Sequence, residues 1–252
     1  MTRKFSPAYL FYGARNVAQR LAERIPWLRG PVTRHLQRKY GRVSFSQFGE
    51  DLILRNLFPG PGGFYVDAGA YDPFQFSNTA LFYEDGWSGV NLDASAAAIA
   101  RFDCLRPRDR NVQAALSDGE EEVEFEMFDA GVFSRIGAAT DTQPEVGAAP
   151  FRKTRMRTRR LGDLLRELGV SRQIDFLSVD CEGHDLRVLQ SNDWAAFRPK
   201  AVVVEDYDRS DTSPIVRYLA TLDYEPLALA GLSRIFADQN AFPPSAGPQT
   251  HP

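Results

Sequence analysis

From Phe64 onward the chain alternates short apolar runs with helical segments, and this alternation constrains the fold more than any other feature. Strand, turn and helix recurring in that order mark a mostly parallel sheet covered on both faces. Phe64-Tyr65-Val66-Asp67 reads as the first strand, Gly89-Val90-Asn91-Leu92-Asp93 as the second, and Val112 to Leu116 as the third. A helix N-capped by Ser77 and running to about Glu84 fits between the first two, and the alanine-rich run after Asp93 supplies the next. Ile174 to Asp180 and Ala201 to Glu205 have the apolar character of strands buried on both faces. A helix from Pro214 to Leu222 precedes two closing strands, Leu227 to Leu229 and Arg234 to Phe236, joined as a hairpin at Gly231.

The middle of the chain departs from this rhythm. Glu122 to Phe128 alternates Val123, Phe125 and Met127 with glutamates, which predicts an added antiparallel strand with one solvated face. Ala130 to Pro150 is small and polar without a period, and both a functional lid and simple disorder fit such a stretch. A basic strand, Arg155 to Arg160, leads into a helix from Leu161 to Leu168 that Gly169 stops. Six cations fall between Arg152 and Arg160.

Charge divides the chain more sharply than its net value of −3 suggests. Up to Arg42 there are ten Lys or Arg against the single acid Glu23, so the remainder is strongly acidic. Ser6-Pro7 opens a helix with Leu10, Ala14, Val17, Leu21 and Ile25 on one stripe, ending at Pro26, and a second helix spans Val32 to Tyr40. Such a basic helix suits either anionic lipid at the inner face of a membrane or packing on its own domain with solvated arginines. The expected division is a basic helical arm over 1–43, a folded domain over 44–242 and a frayed tail over 243–252.

Composition excludes several classes. At 252 residues with 43% hydrophobic and 25% charged content, the chain can bury a sizeable core and is not wholly disordered. No apolar run reaches the roughly 18 residues a membrane span needs, and no secretory signal opens the sequence, so the expectation is a cytoplasmic protein. The two cysteines, Cys104 and Cys181, form no disulfide framework or zinc pattern and are expected as small buried hydrophobes. Nucleic acid is not an expected partner, because the domain is acidic and carries no recognised binding module.

In an open α/β sheet, ligands bind at the carboxyl ends of the strands. Here those ends are acidic: Asp67, Asp93, Asp180 and Glu205 each close a strand, and Asp118 follows the third by two residues. The first turn, Asp67-Ala68-Gly69-Ala70, has one glycine in place of G-x-G-x-x-G, and no P-loop occurs, which argues against a pyrophosphate-anchored cofactor. S-adenosylmethionine, an adenosine without phosphate, fits such a turn. Gly69 would let the backbone approach its methionine part, and Asp93 would take the ribose hydroxyls.

Five motifs in order, Ser46-Gln47-Phe48-Gly49-Glu50-Asp51-Leu52, Val66-Asp67-Ala68-Gly69-Ala70, Ser77-Asn78-Thr79, Gly86-Trp87-Ser88-Gly89 and the run from Ile174 to Gly183, resemble the FkbM-type methyltransferases. The resemblance spans roughly 44–242. It implies a class I, Rossmann-like α/β fold with a mostly parallel seven-stranded sheet, S-adenosylmethionine as donor, and a sugar or polyketide hydroxyl as acceptor. It also implies that Asp67, Gly69 and Ala70 meet the methionine part, with Ser77, Asn78 and Thr79 nearby. Asp93 would bind the ribose, Leu116, Ser117 and Asp118 would line the adenine, and Gln47 and Glu50 would close the site from above. Two departures stand out: Asp93-Ala94 replaces a common Glu-Pro, and His184 stands where a small or apolar residue is common.

Methylating a hydroxyl requires removal of its proton. Asp180, Glu182 and His184 alternate along the turn after the fourth parallel strand, and His184 is the first candidate base, because imidazole is largely neutral near pH 7. The alternative is that His184-Asp185 caps the following helix and that Asp180 or Glu182 takes the proton. Asp180, Glu182, Glu205 and Asp208 would also suit a hard divalent cation if they converge. The basic patches would suit an anionic carbohydrate or glycosylated small-molecule acceptor. A non-catalytic scaffold that keeps the fold and uses its arm on membranes is the competing reading.

Overall fold

The structure is a computed structural model that describes residues 41–127, 134–136 and 152–242. One compact unit begins at Ser44. The helices expected before Gly41 and the tail over 243–252 lie outside the described residues.

Seven strands form the main sheet: β1 (Phe64–Ala68), β2 (Ser88–Asp93), β3 (Arg110–Gln113), β8 (Phe176–Val179), β9 (Ala201–Glu205), β10 (Tyr224–Ala230) and β11 (Ser233–Asp238). Their order is β10-β11-β9-β8-β1-β2-β3. Strands β3, β2, β1, β8 and β9 run parallel, whereas β11 lies antiparallel to β9 and pairs with β10 as the expected hairpin. Strand order reverses between β1 and β8, so the loops leaving these two strands diverge and open a crevice at their carboxyl ends.

Among the described residues six helices pack around this sheet: α1 (Glu50–Leu57), α2 (Ala80–Glu84), α3 (Ala96–Leu105), α4 (Leu161–Glu167), α5 (Asp185–Gln190) and α6 (Pro214–Ala220). Strand alternation divides the core in two. Val66, Leu92, Leu177, Val179, Val202 and Val204 point to one face, against Leu161 and Leu165 of α4, Val188 and Leu189 of α5, and Leu219 of α6. Tyr65, Phe176, Ala201 and Val203 point to the other, against Leu54 of α1, Phe82 of α2 and Trp87. Phe82 centres 4.8 Å from both Trp87 and Phe176, so aromatic packing locks α2 onto the sheet.

Several expectations need correction. The third strand does not run unbroken from Val112 to Leu116: β3 ends at Gln113, the Ala114 amide donates to the Asp93 carbonyl at 2.9 Å, and β4 (Ala115–Leu116) joins another sheet. The cause is a better partner, since β7 (Arg152–Arg159) pairs with Ala115 and Leu116 through Thr158 and Arg159. Most of the stretch from Ala130 to Pro150 lies outside the described residues, but within it β6 (Ser134–Ile136) completes a second sheet of order β4-β7-β5-β6 with β5 (Glu122–Met127). Cys104 is exposed rather than buried, while Cys181 is partly covered. The α2 helix begins at Ala80, three residues after its expected cap, yet Ser77 Oγ still accepts the Ala80 amide at 3.1 Å.

Behind the amino-terminal half of the sheet sits Arg106, fully buried at the end of α3. Its Nε donates to Asp109 Oδ2 at 3.0 Å, and its other nitrogens reach the Tyr65 hydroxyl and Thr79 Oγ1 at 2.8 Å each, Ser77 Oγ at 3.3 Å and the Pro73 carbonyl at 3.1 Å. Asp109 in turn accepts from the Gly89 amide, Asn91 and Tyr65. Removing one partner of such a pair leaves the other charge buried and uncompensated. Arg106→Leu should therefore lower the unfolding free energy by about 3–5 kcal/mol in chemical denaturation. Arg157→Ala, which breaks an exposed pair with Glu120, should cost below about 1 kcal/mol.

Candidate active site

Register builds the site. Ala68 of β1 pairs with Leu92 of β2 and Val179 of β8, and Val179 pairs with Val204 of β9. One residue further along, Asp93, Gly69, Asp180 and Glu205 therefore fall in a single row across the carboxyl edge. The Gly69 amide continues the ladder to the Leu92 carbonyl at 2.8 Å, and the Asp180 amide to the Ala68 carbonyl at 2.9 Å. Gly69 sits at φ +81°, and a Cβ there would lie 1.8 Å from the Asp180 carbonyl oxygen. The close approach of two strand ends therefore requires glycine at this position.

On the β2 side, Asp93 Oδ2 accepts the Tyr71 amide at 2.9 Å and Oδ1 the Ser95 amide at 2.7 Å. Burial pushes its pKa up, against the pull of those two amides. Each oxygen keeps lone-pair capacity for another donor, which suits a vicinal pair of hydroxyls such as a ribose carries. The backbone of Tyr71 and Phe76 is left-handed, at φ 55° and 56°, and their rings stack 6.4 Å apart in the loop beside Asp93. Non-glycine residues hold that conformation only where their surroundings enforce it.

Asp67 lies deeper, 4% exposed, and accepts Thr79 Oγ1 at 2.8 Å. Burial raises its pKa, offset by the bonds from Thr79 and Ser178 and by the charge of Arg106. Asn78 Nδ2 reaches Ser178 Oγ at 3.2 Å, and Ser77 pairs with Thr79 at 3.2 Å. The motif Ser77-Asn78-Thr79 thereby ties Asp67 and Ser178 to the Arg106 hub. Sequence reading missed Arg106, Asp109 and Tyr65 altogether, since nothing local distinguishes one arginine in an arginine-rich chain.

Across the crevice lie the acids of β8 and β9. Asp180 is exposed to solvent at the crevice, yet the protein crowded around its carboxyl and the charges of Glu205, Asp185, Glu182 and Asp67 raise its pKa above the usual carboxylate range. Glu182, at φ 51°, has its pKa pushed up to about 7 by burial and by Asp185, and Tyr207 donates to its Oε2 at 3.4 Å. Glu205 is 9% exposed, and its pKa is pushed up to about 8 by burial and the charges of Asp185 and Glu182. His184 occupies the N-cap position of α5, half-buried, without bonding the helix through its side chain. The turn is held instead by Asp185, which accepts the Cys181 and Gly183 amides at 2.8 and 3.0 Å.

The remaining expected residues frame this crevice. Asp51 gathers Ser44, Ser46 and the Phe45 amide into a turn, the Phe45 carbonyl accepts the Ser77 amide, and Phe48 packs over Gly231 at the tip of the β10–β11 hairpin. That segment runs along the carboxyl edge; within it Gln47 is exposed and Glu50 buried, accepting the Phe48 amide at 2.8 Å. Leu116 and Ser117 are buried where the chain passes to the second sheet. Asp118 bonds Arg187 at 2.6 Å, which holds its pKa low against the effect of burial. The basic patch on β7 is drawn into ion pairs: Lys153 with Glu124, Arg157 with Glu120, and Arg159 with Glu167. Asp208, expected among possible metal ligands, is exposed, and among the described residues no group of three or more His, Cys, Asp or Glu is arranged to hold a metal ion.

The strand order, the antiparallel β11 inserted between β9 and β10, and a carboxylate at the end of β2 define a class I, Rossmann-like methyltransferase. The family described as the methyltransferase FkbM domain matches residues 67–226. The chain belongs to this family, and its cofactor is S-adenosylmethionine. Among solved structures, it aligns with a TehB-like SAM-dependent methyltransferase from Corynebacterium glutamicum at 12% identity and TM-score 0.39, covering 88% of this chain and 98% of that one. The C-terminal domain of precorrin-6Y C5,15-methyltransferase from Rhodobacter capsulatus aligns at 12% identity and TM-score 0.36, over 79% and 91%. A Burkholderia thailandensis 1,6-didemethyltoxoflavin-N1-methyltransferase, solved with its substrate and S-adenosylhomocysteine, aligns at 12% and 0.38, over 94% and 92%. A search of curated proteins finds no match. Among the described residues no helix is long and apolar enough to cross a membrane.

The acids around Asp180 make stability depend on pH. A carboxyl group whose folded pKa is raised keeps its proton after the unfolded chain has lost it, so stability falls as pH rises between the two values. For Glu205 and Glu182 that window runs from the ordinary glutamate value of 4.5 to about 8 and about 7. Denaturation midpoints should therefore fall from pH 5 to pH 8, by up to about 1.4 kcal/mol per pH unit for each proton retained. Glu205→Gln should flatten that slope. Asp118 and Asp238, whose carboxyls are held low by Arg187 and Arg198, titrate below the window and do not contribute.

Proposed function

We propose that this protein transfers the methyl group of S-adenosylmethionine to a hydroxyl of a carbohydrate or a glycosylated small molecule. The observation that carries this reading is the row at the carboxyl edge, in which Asp93 on one side of Gly69 is matched by Asp180 and Glu205 on the other. S-adenosylmethionine supplies an electrophilic methyl carbon on a sulfonium. Asp93 takes the ribose hydroxyls, the turn of Asp67, Gly69 and Ala70 receives the methionine part, and Leu116 to Asp118 flank the adenine. Gln47 and Glu50 lie on the segment that covers the crevice and keeps water out, so that acceptor and methyl meet in line.

Acceptor chemistry follows from the other half of the row. Carboxylates receive hydrogen bonds from neutral hydroxyls, and a sugar offers several at once. Arg157 and Arg159 of β7 are engaged with glutamates, which favours recognition through hydroxyls over recognition of an anionic group by these two side chains. His184, Asp180 and Glu182 all stand close enough in the chain to the crevice to receive the acceptor proton. In this reading the enzyme works in the cytoplasm, and the basic arm before Ser44 rests on an anionic membrane face.

Calorimetric titration with S-adenosylmethionine and S-adenosylhomocysteine tests the cofactor half of this reading. Micromolar binding to the native chain and at least a hundredfold weakening in Asp93→Ala are expected. Absence of binding at millimolar ligand would overturn it in favour of a scaffold that has kept the fold.

A further inference from the structure

The register that pairs Val179 with Val204 brings Asp180 and Glu205 side by side at the ends of their strands, and Glu182 and Tyr207 follow in the two segments that leave them. Strand neighbours in one row stand about 5 Å apart, close enough for carboxyl side chains to meet. Glu205 differs from the other acids of the crevice in its surroundings. Its Oε2 is buried with no hydrogen-bond partner among the described residues. Asp180 and Tyr207 stand beside this side chain and perturb it, and the Tyr207 hydroxyl reaches Glu182 Oε2 at 3.4 Å. An oxygen so enclosed and without a donor is costly unless a ligand completes it.

We propose that Glu205 is the proton acceptor for the methylated hydroxyl, that it shares one proton with Asp180, and that Tyr207 positions it. This rests on the O-methylation reading above. As the acceptor oxygen bonds to the methyl carbon, its O–H bond breaks and the proton passes to the Glu205 carboxylate. The methyl–sulfur bond breaks with its electron pair left on sulfur, so the products are the methyl ether, the neutral thioether and a protonated Glu205.

The surroundings of Glu205 support this role. Facing it are Asp180 from the end of β8, Glu182 and Asp185 from the following turn, and Tyr207 from its own strand's exit. The cation on the adjoining β11, Arg234, is spent on Asp206 at 3.4 Å and on the Arg209 and Ser210 carbonyls, and His184 lies in the same turn as Glu182. With three carboxyl groups and a phenol facing it and the neighbouring arginine engaged elsewhere, two adjacent carboxyls retain a proton between them through neutral pH. That arrangement leaves a base of moderate strength, matched to the task of taking a hydroxyl proton as charge develops.

Two measurements on the full-length protein test the assignment. Carbon-detected NMR titration of protein labelled at Asp and Glu carboxyls should show one pair titrating in two separated steps, the upper one above pH 7. Glu205→Gln should abolish the upper step, and Tyr207→Phe should move it. Loss of neither step in Glu205→Gln overturns the shared proton whether or not an acceptor has been found. The second measurement follows radiolabelled methyl transfer from S-adenosylmethionine to a panel of methyl glycosides. Glu205→Gln should lower kcat at least a hundredfold and remove the acid limb of the pH profile, while S-adenosylhomocysteine affinity stays within threefold. Tyr207→Phe should lower kcat by about tenfold and shift that limb. Retention of the limb in Glu205→Gln, or its loss in His184→Ala instead, overturns the role of Glu205. If the native protein methylates no glycoside yet binds S-adenosylhomocysteine, the carbohydrate reading fails, and the NMR titration alone then decides on the shared proton.

Discussion

The buried ion pair of Arg106 and Asp109 is the constraint on which the rest of this structure depends. A guanidinium taken fully out of water is tolerated only when each of its donors finds an acceptor. Here those acceptors come from strand β1, the loop that follows it and the turn before α2, while Asp109 binds strand β2 and its neighbour. Geometry imposed by one charged side chain thus fixes the spacing of Asp67, Thr79 and Ser77. The crevice wall is rigid because a misplacement would leave charge uncompensated, not because the loops themselves are apolar.

On this fixed wall the sheet register does the remaining positioning. Parallel pairing brings residues far apart in sequence into one row, and the row ends in side chains of like charge. Folding holds those acids together against their repulsion, with the cost met by the apolar core beneath: Ala68, Leu92, Val179 and Val204 form a layer one residue back from the edge, and Val66 and Leu177 lie behind it. The resulting site is poised to give up or take protons near neutral pH. Its reactivity and its instability at higher pH are two expressions of the same crowding.

Much of the architecture was legible in the sequence because it depends on local pattern. Runs such as Ala201 to Glu205 have no plausible home other than a buried strand, and five motifs in order, the Asp67 turn among them, carry the resemblance to the family. What stayed hidden depends on pairing between distant segments. The break at Ala114 follows from β7 offering β4 a partner, and no periodicity in Val112 to Leu116 announces it. Arg106 is one of many arginines, and its burial follows from what surrounds it. Glu205 was visible as a strand end, but its adjacency to Asp180 is a matter of register, which one sequence does not specify.

The second sheet carries a consequence of its own. It is joined to the first through β4, a strand of two residues, and shares none of the strands that bear Asp93, Asp180 or Glu205. Changes in its length or composition leave the cofactor-bearing rows untouched, while altering whatever rests against Leu116, Ser117 and Asp118. Such a layout lets one part of the molecule drift or be exchanged in evolution while the reacting part stays fixed, a separation of variable from invariant that favours new specificities over new chemistries.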